Sequence, residues 1–259
     1  MEGRVRRIIL NPSMRIAALY DIHANLPALE AVLEELRHAK VDQIVVGGDV
    51  LPGPMPVETM ERLRELDISA QFIVGNGDRE VLAATRGSES KTLPQFALDA
   101  IRWNAERLGE QHKQWLASWP KTLALEIDGL GKVLFCHATP RDDNEIFTRL
   151  TAEDRLLSIF AGLDAAVVVC GHTHMQFDRQ VGNVRVVNAG SVGMRFGEPG
   201  ADWLLLGPAS VELRFTPYDV AKADACIRAT GYPQTEAFDI LRPPDAAKML
   251  ELYARAELK

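Results

Sequence analysis

From Arg15 onward the sequence alternates short β-branched runs with apolar stripes of helical period, and such a chain can bury both kinds of face only by layering helices against sheets. Ile16–Tyr20 reads as a buried strand. Leu29, Val32, Leu33 and Leu36 then fall at i, i+3, i+4 and i+7, one apolar helix face whose first turn admits Pro27. Strands over Gln43–Val46 and Ala70–Val74, with a helix over Val57–Leu66, extend this to three strand-helix units, expected as a parallel sheet with right-handed crossovers. Residues 79–120 break the rhythm: Leu98, Ile101, Ala105 and Leu108 form a helical stripe, so a helical insertion with core tryptophans is expected. After Thr122 strand patterns dominate, over Leu123–Ile127, Lys132–Cys136, Ala166–Cys170, Gln176–Val181, Arg185–Val187, Leu204–Leu206 and Val211–Phe215. The turn pairs Asp128-Gly129 and Gly182-Asn183 mark hairpins and a second, largely antiparallel sheet. Two helical stretches follow Tyr218. The chain thus divides into an N-terminal extension (1–14), one domain (15–217) with an insertion at about 79–120, and a C-terminal helical appendage of that domain (218–259).

Composition narrows the class. The 259 residues carry 29 Lys+Arg against 36 Asp+Glu, a formal charge of −7 that opposes binding to a phosphate backbone. The longest apolar runs fall well short of the ~20 residues that a bilayer span requires, so no membrane partner is expected. Cys136 and Cys170 lie inside apolar runs and Cys226 makes the count odd, a pattern suited to a reducing, cytoplasmic setting.

Function is written at the strand ends. Ile16–Tyr20 runs into Asp21 and His23; Ile44–Val46 into Gly47-Gly48-Asp49; Phe72–Val74 into Gly75-Asn76-Gly77-Asp78. Val133–Cys136 delivers His137, and Val167–Cys170 delivers Gly171-His172-Thr173-His174. Ligands of open α/β sheets gather at the carboxyl ends of strands, so these loops can share one crevice. The side chains collected are carboxylates, imidazoles and one amide, donors suited to Mn²⁺, Fe²⁺, Zn²⁺ or Ni²⁺ rather than to Ca²⁺. Seven candidates exceed one tetrahedral site, whereas two ions sharing a carboxylate would use them all. In an extended segment Asp21 and His23 would point the same way with Ile22 turned to the core; His172 and His174 repeat the spacing and could serve different ions if the chain bends.

Asp21-x-His23, Gly48-Asp49, Gly75-Asn76-x-Asp78, His137 and Gly171-His172-x-His174 together resemble the motif series of the calcineurin-like metallophosphoesterase superfamily, over residues 15 to about 217. The resemblance implies an α/β fold, a four-layer α/β/β/α sandwich of two mixed β-sheets flanked by helices. It also implies two divalent transition-metal ions, with Mn²⁺ foremost and Fe, Zn or Ni as substitutes. By the same resemblance Asp21, His23, Asp49 and His174 hold one ion, and Asp49 bridges to a second held by Asn76, His137 and His172. Asp49, Asn76 and His172 are the implied catalytic positions. Many members carry a histidine after the Asn for leaving-group protonation; here that position is Gly77, closer to the small prokaryotic phosphodiesterase-like branch. Leaving groups that need little protonation are then favoured, such as nucleoside phosphates or activated aryl esters. Asp78, without an imidazole to orient, reads as a helix N-cap.

The expected activity is metal-dependent phosphoester hydrolysis, phosphodiesterase or phosphatase, on a small phosphate ester. Two ions ~3.5–4 Å apart would clamp the phosphoryl group and lower the pKa of a bridging water, whose hydroxide attacks phosphorus in line. Arg79, Arg141 and Arg195, near the motif loops, are candidate substrate-binding cations. The polar loop Thr139–Glu145 is a candidate pocket wall. Competing readings are a dinucleoside polyphosphate hydrolase, a phosphoprotein phosphatase, or a non-catalytic scaffold, the last opposed by a full set of ligand positions.

Overall fold

A computed structural model describes residues 14–236 and 238–258. The first sheet contains β1 (Ile16–Leu19), β2 (Gln43–Val46) and β3 (Ser69–Phe72) as parallel neighbours. They alternate with α1 (Leu26–His38) and α2 (Pro56–Arg64), and β3 is followed by α3 (Asn76–Ala84), α4 (Gln95–Arg107) and α5 (Glu110–Ala117). The second sheet is built from β4 (Thr122–Ile127), β5 (Gly131–Cys136), β6 (Val167–Cys170), β7 (Phe177–Val181) and β8 (Val184–Asn188), with α6 (Glu153–Phe160) between β5 and β6. β9 (Ala201–Gly207) and β10 (Ser210–Thr216) precede α7 (Val220–Ala229) and α8 (Ala246–Ala256).

Alternation of side chains across each strand generates the layers. Ile16, Ala18 and Tyr20 face inward with Phe135, Val167, Val169 and Leu204, the core between the sheets. Ala17 and Leu19 face outward onto Leu29, Val32 and Leu36 of α1 and Met60 of α2. On the far side Val168 and Cys170 pack against Leu156, Ile159 and Phe160 of α6. The α/β/β/α sandwich of two mixed sheets is therefore the fold. Among the described residues no helix is long and apolar enough to cross a membrane.

Two expectations change. The strand order is β10-β9-β1-β2-β3 in one sheet and β4-β5-β6-β8-β7 in the other. β9 and β10 thus rejoin the first sheet as antiparallel strands, while β5, β6 and β8 run parallel in the second, which is mixed rather than largely antiparallel. β9 is buried along its whole length and so needs cover on both faces, which its place beside β1 supplies. α6 carries its apolar contacts at positions 156, 159 and 160, a helical spacing too short to stand out in the sequence.

Candidate functional site

The loops after β1, β2, β5 and β6 meet at one edge of the sandwich and are stitched by backbone hydrogen bonds. The Asp21 amide donates to the Gly48 carbonyl at 3.1 Å, His23 to Asp49 at 2.9 Å, and Gly171 to His137 at 2.9 Å. Nine non-glycine residues among those described have positive φ, and five are Asp21, His23, Asp49, His172 and His174. Such conformations are costly outside glycine and concentrate at functional sites. They also correct the extended reading of Asp21-x-His23. The two side chains converge because both residues turn through the left-handed region, not because of a pleat.

The chain gathers six of the donors into two clusters. Donor atoms of Asp21, His23 and His174 lie within 4.8 Å of one another, as do those of Asp49, His137 and His172. His172 and His174 therefore stand in different clusters. Asp49 Oδ2 faces both sides, 3.4 Å from His137 Nε2 and 3.9 Å from His23 Nε2, and Asp21 Oδ1 lies 3.4 Å from His174 Nε2. Asn76 opens α3, and its Oδ1 is buried without a hydrogen-bond partner.

The protonation pattern suits cations. Carbonyl oxygens only accept, so a ring nitrogen bonded to one carries the hydrogen. His23 Nδ1 donates to Pro52 O (3.1 Å), His137 Nδ1 to Gly47 O (3.0 Å) and His174 Nδ1 to Met194 O (2.8 Å), leaving each Nε2 as a lone pair turned inward. His172 is reversed: its Nε2 donates to Asn144 O at 3.2 Å, which frees Nδ1. The His23 and His174 Nε2 atoms sit 3.1 Å apart, two lone pairs facing each other. Two nitrogens each ~2.1 Å from one ion at a near right angle would be ~3 Å apart, so a cation would resolve that contact. Asp21 Oδ1, Asn76 Oδ1 and His137 Nε2, all candidate donors, are buried with no hydrogen-bond partner. Unsatisfied buried polar atoms are rare, and two of these, Asp21 Oδ1 and His137 Nε2, stand 3.9 Å apart, a pattern that fits divalent ions.

The electrostatics agree. Burial would raise the Asp21 carboxyl, but the imidazoles of His174 and His137 hold it below the usual carboxylate range. Burial would lower His137, yet the carboxylates of Asp49 and Asp21 push it up to about 10, so its Nε2 draws a proton at the place where a cation would compete for the same lone pair. Burial and the neighbouring His137 bring His172 down to about 4, the neutral form a metal requires.

The candidate arginines are engaged elsewhere. Arg79 grips Asp143 with a two-pronged fork, Nε and Nη2 each 2.8 Å from a carboxylate oxygen, and also meets Glu80. Arg141, exposed, pairs with Glu145, and Arg195 bonds Asp202 at 2.8 Å. Asp78 is not the N-cap. It is the third residue of α3, within the first turn, accepting from the Gly75 amide at 3.0 Å and the Leu51 amide at 2.9 Å, while burial and Asp49 push its carboxyl up to about 8. The loop Thr139–Glu145, expected as a pocket wall, contributes the Asn144 backbone oxygen that orients His172, a contact that leaves no signal in residue type. The insertion and the C-terminal stretch, expected to be able to shape a pocket, line a cleft of ≈ 290 Å³ that His23, Asp49 and Asn76 also border; its apolar character was not read from the sequence, since the lining comes from distant segments.

A model of the calcineurin-like phosphoesterase superfamily domain matches residues 14–206. An uncharacterised protein of Methanocaldococcus jannaschii is 30% identical over 228 residues, 80% of this chain and 89% of that protein. Among solved structures, a metallophosphoesterase from Sphaerobacter thermophilus superposes with a TM-score of 0.68 at 28% identity, covering 88% of this chain and 98% of that one. A hypothetical protein from Pyrococcus horikoshii OT3 shares the fold, with a TM-score of 0.77 at 20% identity over 89% of this chain and 98% of that one.

Proposed function

Because this chain belongs to the calcineurin-like phosphoesterase superfamily, we propose that it hydrolyses small phosphate esters at a dinuclear divalent-metal centre. Asp21, His23 and His174 would hold one ion, His137, His172 and Asn76 the other, and Asp49 would join them. The observation that carries this reading is that Asp21 Oδ1 and His137 Nε2, one from each imidazole-carboxylate cluster and 3.9 Å apart, are both buried without a hydrogen-bond partner, as is Asn76 Oδ1. When bound, such a pair supplies charge neutralisation for the phosphoryl group and activates water.

The chain's own residues orient the site. Backbone carbonyls set the tautomers of all four histidines, and the Gly77 amide, 2.7 Å from Asp49 Oδ1, leaves Oδ2 to face both clusters. Hydrolysis forms one P–O bond from water and breaks the ester P–O bond, with the protons of water passing to the released alcohol and phosphate. The charge of −7 and a cleft that has no lysine or arginine among the described residues favour small esters over nucleic acid and polyphosphates.

Metal analysis of the purified protein, paired with a phosphoester panel in Mn²⁺, Ni²⁺, Zn²⁺ and Mg²⁺, tests the reading. About two ions per chain and metal-dependent turnover are expected, and Asp49→Ala should lose most activity. Full turnover by that variant at saturating metal would refute the dinuclear arrangement.

A further inference from the structure

The cleft above the donor clusters differs in chemistry from its floor. One wall is Phe96, Ala97 and Ile101, and the other is Met194, Tyr232 and Phe238. Among the described residues the only charged one lining it outside the clusters is Glu80, which already faces Arg79 Nη1 at 2.7 Å. The arginines nearest the motif loops are held by Asp143, Glu145 and Asp202. A second phosphate, a sugar diphosphate or a charged peptide entering here would lose hydration without gaining a counter-charge. An apolar ring would instead leave water at no polar cost. A cavity of about 150 Å³ accommodates benzene, so ≈ 290 Å³ has room for one ring and its ester link. The walls come from α4 and the segment after α7, which pack together through Ala100, Ile227 and Tyr232, so the cleft is built by the fold rather than left by a loose loop.

We infer that this cleft is a subsite for a neutral, aromatic-sized alcohol carried by the phosphate ester, and thereby selects single-phosphate esters of apolar alcohols. The inference rests on the phosphoesterase reading for the placement of the phosphate. In a diester the cleft takes the alcohol that does not depart, and the bond that breaks is the other P–O bond.

The test compares methyl p-nitrophenyl phosphate with phenyl p-nitrophenyl phosphate, which share a leaving group, on the Mn²⁺-loaded full chain. The phenyl ester should have a kcat/KM at least about tenfold higher. Ala97→Trp, which fills the cleft, and Phe96→Ser, a change at a residue 58% exposed, should each shrink that ratio below about threefold. Equal kcat/KM values for the two esters in the parent, or a ratio intact in both variants, overturns the subsite while leaving the phosphoesterase reading standing. If neither ester is hydrolysed, that reading fails, and calorimetry with phenylphosphonate and methylphosphonate still reads the cleft. Tighter binding of the phenyl compound that Ala97→Trp abolishes supports the subsite; equal binding overturns it.

Discussion

A Cβ at Gly77 would lie 2.5 Å from the Leu51 carbonyl oxygen and 2.9 Å from Pro52 Cδ, so the position where many superfamily members carry histidine has no room for a side chain here. The close approach lets the Gly77 amide reach Asp49, which ties the missing imidazole to the local packing of one loop on another. Gly77→Ala is expected to cost about 2 kcal/mol through that clash and to lower metal-dependent turnover; an unchanged denaturation midpoint would contradict it. Asp202 supplies a prediction in pH. Burial pushes its carboxyl up to about 6 although Arg195 pairs with it. Between about pH 4 and 6 the folded chain therefore holds a proton that the unfolded chain has released. That contribution is complete below about pH 4 and is lost as pH rises through about 6, roughly 3 kcal/mol at most. Asp202→Asn should flatten this part of the stability curve; parallel curves for the two proteins in that window would rule it out. At this scale the kinds of donor were legible, since strand ends advertise Asp, Asn and His. Their tautomers were not, because backbone oxygens set them.

The element that most directly supports the site is the loop between β5 and α6. Arg79, in the first turns of α3, clamps Asp143, and the adjacent Asn144 carbonyl receives the His172 Nε2 hydrogen. Arg79 is thereby placed to steady an imidazole through that loop, its guanidinium already paired with Asp143 and Glu80. Arg79→Ala should weaken binding of the ion at Asp49, His137 and His172 by about 10–100-fold, measured by metal titration, with turnover recovering at high metal. Arg79→Lys should not restore affinity, because one ammonium cannot engage both carboxylate oxygens. Wild-type affinity in either variant would remove this role. α1 was readable in advance, its predicted face of Leu29, Val32, Leu33 and Leu36 being buried throughout, whereas the Arg79 latch joins residues 64 positions apart and has no local signature.

Across the whole molecule the proposed ligands come from both halves: Asp21, His23, Asp49 and Asn76 follow strands of the first sheet, and His137, His172 and His174 follow strands of the second. Tyr20 already links the sheets, its hydroxyl donating to Val169 O at 3.0 Å. Ions held at that seam would stabilise the folded chain by about 2.7 kcal/mol at a hundredfold excess over Kd, raising Tm by about 5–10 °C. Scanning fluorimetry with Mn²⁺ and then EDTA should show the rise and its reversal, with a smaller rise in Asp49→Ala; no shift in the parent would argue against a seam site. The amino-acid order alone was enough for layered α/β architecture and for the donor types at five strand ends, because side-chain period reports which faces are buried and turn chemistry reports where strands stop. The return of β9 and β10 to the first sheet, the carboxylate partners of the arginines and the apolar lining of the cleft exist only in three dimensions. Each is a contact between residues far apart in the chain, and through-space neighbours are set by the global packing minimum, of which a local pattern carries no trace.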